Sequence, residues 1–307
     1  MITKQWFVDL LQHAETIFNQ KNILIPSPTE MRCAYCFEQS STTSTLLRCS
    51  GCKTRMYCSQ ECQTIDWNKG QIHKKWCKTN CGEENVDWEI KYITAERGMG
   101  LVAKRPFQEN ERVLVERLYT LKEIQSFKKP SMIKAFLDLA PVISEETLQT
   151  DITRAIESKF YLNCIRIRDS NEVDDDIEKA ALGIRLSRAN HSCRPNCDWW
   201  DTGKELILIT RTAVCAQEEF TFAYTNALDP IENSLSVDEA RNLLLKKWQI
   251  KCSPSCDCFN MKKCKKIDHI RTLTSSITDL IQSNKVQEAF EVSNTVLSLH
   301  ISLTDCG

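Results

Sequence analysis

Apolar positions change their spacing repeatedly along the chain. Within residues 1–28, Trp6, Phe7, Leu10, Leu11, Ala14, Ile17 and Phe18 recur at helical period and Pro26 and Pro28 mark a stop, which predicts an amphipathic N-terminal helix over residues 3–20. After Gly82 the pattern turns to short apolar runs: Leu101-Val102-Ala103, Val113-Leu114-Val115, and Leu206-Ile207-Leu208-Ile209 behind an Asp201-Thr202-Gly203 turn signal. Runs this short, separated by turns, predict a body of small β-sheets. Residues 121 to about 158 read as helix, with Met132, Ile133, Phe136 and Leu137 on one face, and Asn171–Glu178 reads as a solvated acidic turn. Toward the C-terminus, Ile270, Leu273, Ile277, Leu280 and Ile281 precede Val286, Ala289, Phe290, Val296 and Leu297, predicting a helical hairpin broken near Ser283-Asn284. Helices and small sheets in this order give an α+β class.

Length and charge narrow the picture. A chain of 307 residues suggests about two domains. The net charge of −1 argues against a nucleic-acid partner, and Lys53, Arg55, Lys74 and Lys75 are too few for a phosphate footprint. Lys4, Asp9, His13 and Glu15 stand where a signal peptide would be apolar, and no run approaches the roughly 18 apolar residues of a membrane helix. The expectation is an intracellular protein of the cytoplasm or nucleus with no membrane partner. Lys262-Lys263-Cys264-Lys265-Lys266 reads as solvated surface, with an import signal as the alternative.

Seventeen cysteines change the chemistry. They fall in two dense clusters at ligand-like spacings in a chain without an export signal, so zinc is a better reading than disulfides. From Cys33 the spacing runs C-x2-C, x12, C-x2-C, x5, C-x3-C, x10, H-x3-C, ending at Cys77. Eight sulfur and imidazole ligands make two structural zinc sites. Cys81 falls outside as a free thiol.

A second stretch, Ser187 to Cys197, packs an amide, an imidazole and two thiols beside a proline. Adjacent Asn190 and His191 point to opposite faces if the segment is extended, which speaks against a Cys/His nucleophilic pair and makes the backbone the working part. Asn190-His191-Ser192 also fits a glycosylation sequon, a reading that fails without a secretory route.

With Tyr57-Cys58-Ser59, Gln63, Trp67 and His73-Lys74 in place, residues 29–81 resemble a MYND zinc finger. The resemblance assigns Cys33, Cys36, Cys58 and Cys62 to one ion and Cys49, Cys52, His73 and Cys77 to the other. It also implies a proline-rich peptide partner, and Gln63, Trp67 and Trp76, more than so small a module needs for core, predict a peptide groove with an aromatic wall. Asn190 to Asn196 resembles the NHSCxPN signature of SET-domain lysine methyltransferases, and its companions follow in order. Arg97-Gly98-Met99-Gly100 resembles the opening GxG turn, Glu218 to Tyr224 resembles the GEExxxxY segment with Gln217 replacing glycine, and Lys247 to Cys252 resembles the start of a post-SET cluster.

The resemblance to SET-and-MYND proteins implies a β-clip SET domain at 86–228 with a helical insert at about 121–158. A post-SET zinc segment would follow at 229–265 and a helical hairpin at 266–307. It implies S-adenosylmethionine as cofactor, contacted by Arg97, Gly98, Met99, Gly100, Asn163, Ser187, Asn190, His191, Trp248 and Ile250, with Tyr224 as the catalytic residue. Cys193 would hold a third zinc with Cys252, Cys256 and Cys258, the C-x3-C-x-C order departing from the common C-x-C-x2-C. Cys264 is the alternative to Cys252. Another departure is modular: in the best-known members the finger interrupts the SET domain, whereas here Cys33–Cys77 precedes Gly98. The implied activity is protein-lysine N-methylation of a histone or another protein. The alternative is a catalytically weak adaptor that binds partners through the finger.

Overall fold

The computed structural model describes residues 31–40, 45–69, 72–139, 152–167, 180–225, 228 and 235–304. The expected N-terminal helix and the acidic turn lie outside these residues. The chain divides into two units, Met1–Asn190 with Asn196–Thr221, and His191–Pro195 with Phe222–Gly307.

In the first unit, strand β1 (Leu47–Arg48) pairs antiparallel with β2 (Met56–Tyr57), and helix α1 (Gln60–Thr64), a π-turn (Ile65–Lys69) and α2 (Ile72–Trp76) follow. Ser59 caps α1 by accepting the Cys62 amide at 3.2 Å, so Cys58 precedes the helix that carries Cys62. The β body contains β3 (Trp88–Thr94), β4 (Gly98–Ala103), β5 (Arg112–Arg117), β6 (Ile165–Arg166), β7 (Ala180–Ala181), β8 (Asn190–His191), β9 (Cys197–Asp201), β10 (Glu205–Thr210) and β11 (Glu219–Phe222). They form small sheets in the orders β3-β4-β11-β8, β5-β10-β9 and β6-β7. The three predicted apolar runs are β4, β5 and β10, and Val115 lies opposite Ile207 with Leu114 opposite Leu208. Their runs are continuous rather than alternating because Leu101–Ala103, Val113–Val115 and Leu206–Leu208 are all buried.

Among the described residues the expected single helical stretch is not continuous and contains α3 (Leu121–Ile124), α4 (Pro130–Leu137) and α5 (Ile152–Asn163). Thr120 and Glu123 form a capping box on α3, and Pro130 restarts the helix at its first turn, where its missing N–H costs nothing. Met132, Ile133 and Phe136 are buried as the periodicity requires. They join Tyr119, Phe127, Ile156, Phe160 and Leu182 in one core with Cys33, Cys36, Phe37, Cys49, Tyr57 and Cys62 of the finger. The finger and the insert therefore share a hydrophobic interior.

In the second unit, α6 (Val237–Trp248), α7 (Met261–Gln282) and α8 (Val286–Thr304) follow in order. Helix α6 was not legible in the sequence. Its buried positions Val237, Ala240 and Leu244 are sparse among charged residues, and a Ser236/Glu239 capping box starts it. Helix α7 begins at Met261, so it crosses the expected boundary at 265/266 and carries the lysine cluster on its first turns. Asn260 sets that start by accepting the Lys263 amide at 3.1 Å. The predicted break is where the hairpin turns, with Asn284 at φ 57°, a left-handed conformation that asparagine tolerates.

Candidate active site and metal centres

The described residues contain three tetrads whose ligand atoms all lie within 4.8 Å of one another: Cys33, Cys36, Cys58 and Cys62; Cys49, Cys52, His73 and Cys77; and Cys193, Cys252, Cys256 and Cys258. A tetrahedral zinc with sulfur at about 2.3 Å requires sulfur pairs about 3.8 Å apart. Cys36–Cys58 and Cys58–Cys62 stand at 3.5 Å, Cys49–Cys77 at 4.0 Å and Cys193–Cys252 at 3.6 Å, with Cys52 Sγ 3.7 Å from His73 Nε2. These spacings fit three zinc ions and are far from a disulfide bond length of about 2.05 Å.

The electrostatics agree with the spacing. Burial pushes the Cys58 and Cys77 thiols up to about 11, and neighbouring sulfurs add to it, because clustered thiolates repel. A divalent cation among them reverses that balance. Burial holds His73 down to about 4, which keeps the imidazole neutral as a ligand must be. Cys264, the alternative ligand, turns its sulfur to the Cys258 carbonyl at 3.3 Å. Cys81 lies outside the tetrads, its thiol pushed up to about 12 by burial.

The tryptophans expected to wall a peptide groove are engaged in packing. Trp67 stands edge-on to His73 at 5.6 Å. Trp76 donates to Glu205 Oε2 at 3.3 Å and carries the Arg112 guanidinium over its ring at 5.1 Å. The Trp76 ring thus packs at the junction between α2 and the β body.

Within the first unit, Arg97 to Asn190 build a hydrogen-bonded knot. Gly98 turns the chain at φ 66°, and among the described residues nothing lies within 4 Å of where a Cβ would stand, so the main chain can be closely approached there. Gly100 is required for the opposite reason, since a Cβ would meet Glu219 Oε1 at 2.5 Å. Glu219 accepts from Asn190 Nδ2 at 2.7 Å and pairs with Arg97 Nη2 at 2.9 Å, and Asn190 Nδ2 also donates to the Met99 carbonyl at 3.0 Å. Both hydrogens of the amide are thereby used, so contact from Asn190 to a cofactor would run through its amide oxygen or main chain. Ser187 Oγ donates to the Gly183 carbonyl at 2.8 Å and the Asn163 carbonyl at 3.4 Å, while Asn163 Nδ2 donates to the Lys159 carbonyl within α5.

Within the second unit, the Tyr224 amide donates to His191 Nδ1 at 3.1 Å, and His191 Nε2 stands 3.2 Å from Cys193 Sγ. Accepting at Nδ1 leaves the proton on Nε2, aimed at a sulfur of the third tetrad, an outer-shell bond that fixes the ring. The Tyr224 ring lies among Phe222, Trp248 and His191 at 4.9, 5.2 and 5.4 Å. Trp248, Ile250, Cys252 and Cys256 pack against the same cluster as Tyr224, around buried Cys193, Val237, Leu244 and Cys258. Gln249, at φ 57°, ends α6 and places Trp248 and Ile250 on either side of that turn.

Glu219 and Asn196 escaped the sequence reading as site residues. Asn196 Oδ1 accepts the Thr221 amide at 2.8 Å and its Nδ2 donates to the Glu219 carbonyl at 2.9 Å, fastening the signature to β11. The paired acids Glu218 and Glu219 that open the segment ending at Tyr224 were the signal available for Glu219.

Residues 33–77 match the MYND finger family and residues 98–225 match the SET domain family. The chain belongs to the SET-and-MYND family.

Among relatives of this SET-and-MYND protein, SET domain-containing protein 14 of Caenorhabditis elegans is 24% identical over 73% of this chain and 50% of its own length. The Schizosaccharomyces pombe SET domain and MYND-type zinc finger protein 6 is 23% identical over 89% of this chain and 55% of its own. The human histone-lysine N-methyltransferase SMYD3 is 24% identical over 70% and 48%. The chain thus spans about half the length of the curated relatives it matches. Finger and SET matches are consecutive, in agreement with the modular order read from the sequence. No helix among the described residues is long and apolar enough to cross a membrane.

Proposed function

We propose that this SET-and-MYND protein is a protein-lysine N-methyltransferase using S-adenosylmethionine. The observation that carries the reading is the knot at Asn190, whose amide bonds both the Met99 carbonyl and Glu219 and so fastens three SET motifs together. Gly98, the main chain of Met99 and Gly100, Arg97 and Asn190 would hold the cofactor, and the resemblance to SET domains implies His191, Trp248 and Ile250 as further contacts. Bound there, the cofactor supplies an activated methyl group on a positively charged sulfur.

The chain's residues have to present a neutral lysine amine in line with that methyl group. A desolvating channel depresses the amine's pKa, and alignment at near-contact distance lowers much of the remaining barrier. Tyr224 is the group for alignment: its amide is held by His191 and its ring by Phe222 and Trp248, so its hydroxyl can act as an oriented dipole without reorganising. No general base is required, because the proton is lost to solvent before the amine attacks.

Calorimetric titration with S-adenosylmethionine, followed by transfer of a tritiated methyl group to proteins of a cell lysate, tests the reading. We expect cofactor binding that Tyr224→Phe retains and labelling that it lowers about 10²–10³-fold. A zinc-replete protein that binds no cofactor and labels nothing refutes it.

A further inference from the structure

The turn that presents Ser187 and Asn190 is gripped from the zinc finger side by a buried arginine. Arg185, 7% exposed, opens the 3-10 turn Leu186–Arg188. Its guanidinium pairs with Glu84 Oε2 at 2.8 Å and lies over the Phe37 ring at 4.6 Å. Phe37 immediately follows Cys36 of the first tetrad, and its amide donates to the Cys33 carbonyl at 3.1 Å, so the ring's position follows the winding of that knuckle. On the backbone side, the Arg185 and Leu186 amides donate to the Glu116 carboxylate at 3.0 and 2.6 Å. Gly183 is compelled there, since a Cβ would meet Glu116 Oε1 at 2.5 Å.

From this clamp the chain has little freedom before the site. The Ser187 amide bonds the Gly183 carbonyl and the Ala189 amide bonds the Leu186 carbonyl, while Arg188 Nη1 donates to the Asp138 carbonyl of the insert at 2.7 Å. The next residue is Asn190. A buried ion pair is a weak source of stability, because desolvation cancels most of its attraction, yet its geometry is well suited to fixing an orientation. Two carboxylates, Glu84 and Glu116, and the Asp138 main-chain carbonyl hold one short turn through its amides and the side chains of Arg185 and Arg188.

We propose that Arg185 is a positioning residue through which the first zinc knuckle acts on the cofactor half-site: Phe37 seats the guanidinium, and the guanidinium seats the turn bearing Ser187 and Asn190. The finger is then part of the cofactor apparatus, and filling its first tetrad tightens cofactor binding. The consequence for affinity rests on the function proposed above, while the coupling of finger to turn does not.

The experiment compares Arg185→Gln, Arg185→Lys and Phe37→Gly in the full chain. Glycine suits position 37, where φ is 65°, so that variant removes the ring without straining the backbone. Zinc content, hydrogen exchange of the amides at 183–190 and the calorimetric Kd for S-adenosylmethionine are read together. Arg185→Gln and Phe37→Gly should keep three zincs, exchange the Arg185 and Leu186 amides faster, and weaken the Kd about ten-fold. Arg185→Lys, able to keep the Glu84 pair, should recover part of both effects. Unchanged exchange overturns the proposal, and so does faster exchange with an unaltered Kd in folded, zinc-replete protein. Should Phe37→Gly lose zinc, the two Arg185 variants, which touch no ligand, decide. If the wild type binds no cofactor while exchange still responds, the methyltransferase reading falls and the coupling stands.

Discussion

Replacing Gly100 and Gly98 with alanine should separate crowding from backbone strain within one turn. At Gly100 the new methyl would stand 2.5 Å from Glu219 Oε1 and 2.7 Å from Ile93 Cγ1. The carboxylate cannot swing aside without lengthening its bonds to Asn190 at 2.7 Å and Arg97 at 2.9 Å. A hydrogen bond to a charged group contributes about 1.5–3 kcal/mol, less for the Arg97 side chain, which is 40% exposed. Overpacking against Ile93 adds about 1–3 kcal/mol unless the sheet relaxes. Both contacts must be relieved, so the terms add to about 2.5–6 kcal/mol, with relaxation of the sheet favouring the lower end. Gly98→Ala meets no atom within 4 Å but must hold φ 66°, which costs about 1–2 kcal/mol. Urea unfolding midpoints of both variants measure the difference, and cofactor titration checks that Gly100→Ala also disturbs the Asn190 knot. A Gly100→Ala protein at least as stable as Gly98→Ala, with wild-type cofactor affinity, would refute the argument that Glu219 is immobile.

Tyr224→Phe should leave the fold and the cofactor Kd within a few-fold of wild type while methyl transfer falls about 10²–10³, measured at saturating cofactor. Elemental analysis should find three zincs per chain, and chelation should expose tryptic sites in the insert at α4 as well as in the finger, because they share a core. Stability should also respond to Lys159, a buried lysine whose amine burial and Arg188 hold down to about 7 while it donates to the Leu137 and Leu139 carbonyls. Between about pH 7 and its unfolded value near 10.5 the unfolded chain binds the extra proton, so this group makes stability rise with pH. Below about 7 both states are protonated and its destabilising effect is constant. Melting temperatures across this window should lose that slope in Lys159→Met, and an identical slope would refute the assignment.

The parts of the site that were legible in the sequence rest on local geometry. Ligand spacing around Cys33–Cys77 encodes turns that close on themselves, and Gly98, Asn190 and Tyr224 sit in short segments whose order is distinctive. Helical period found Met132, Ile133 and Phe136 because a buried face must repeat. What stayed hidden depends on partners distant along the chain. Glu116 meets Leu186 across 70 residues and Trp76 meets Glu205 across 129, and neither contact leaves a local pattern. Helix α6 was masked differently, by an exterior rich enough in charge to dilute its three buried positions.

The common interior of finger and insert also bears on synthesis. Cys33 to Cys77 leave the ribosome before the insert and can bind metal at once, but the core that Phe37 and Tyr57 join extends as far along the chain as Leu182 and Ile184. At about 5–20 residues per second, the finger's underside waits on the order of ten seconds for its cover. During that interval the nascent chain carries a metallated but half-clothed domain, the kind of surface that holdase chaperones grip. Translation speed between Cys77 and Ile184 is therefore expected to affect the yield of this chain.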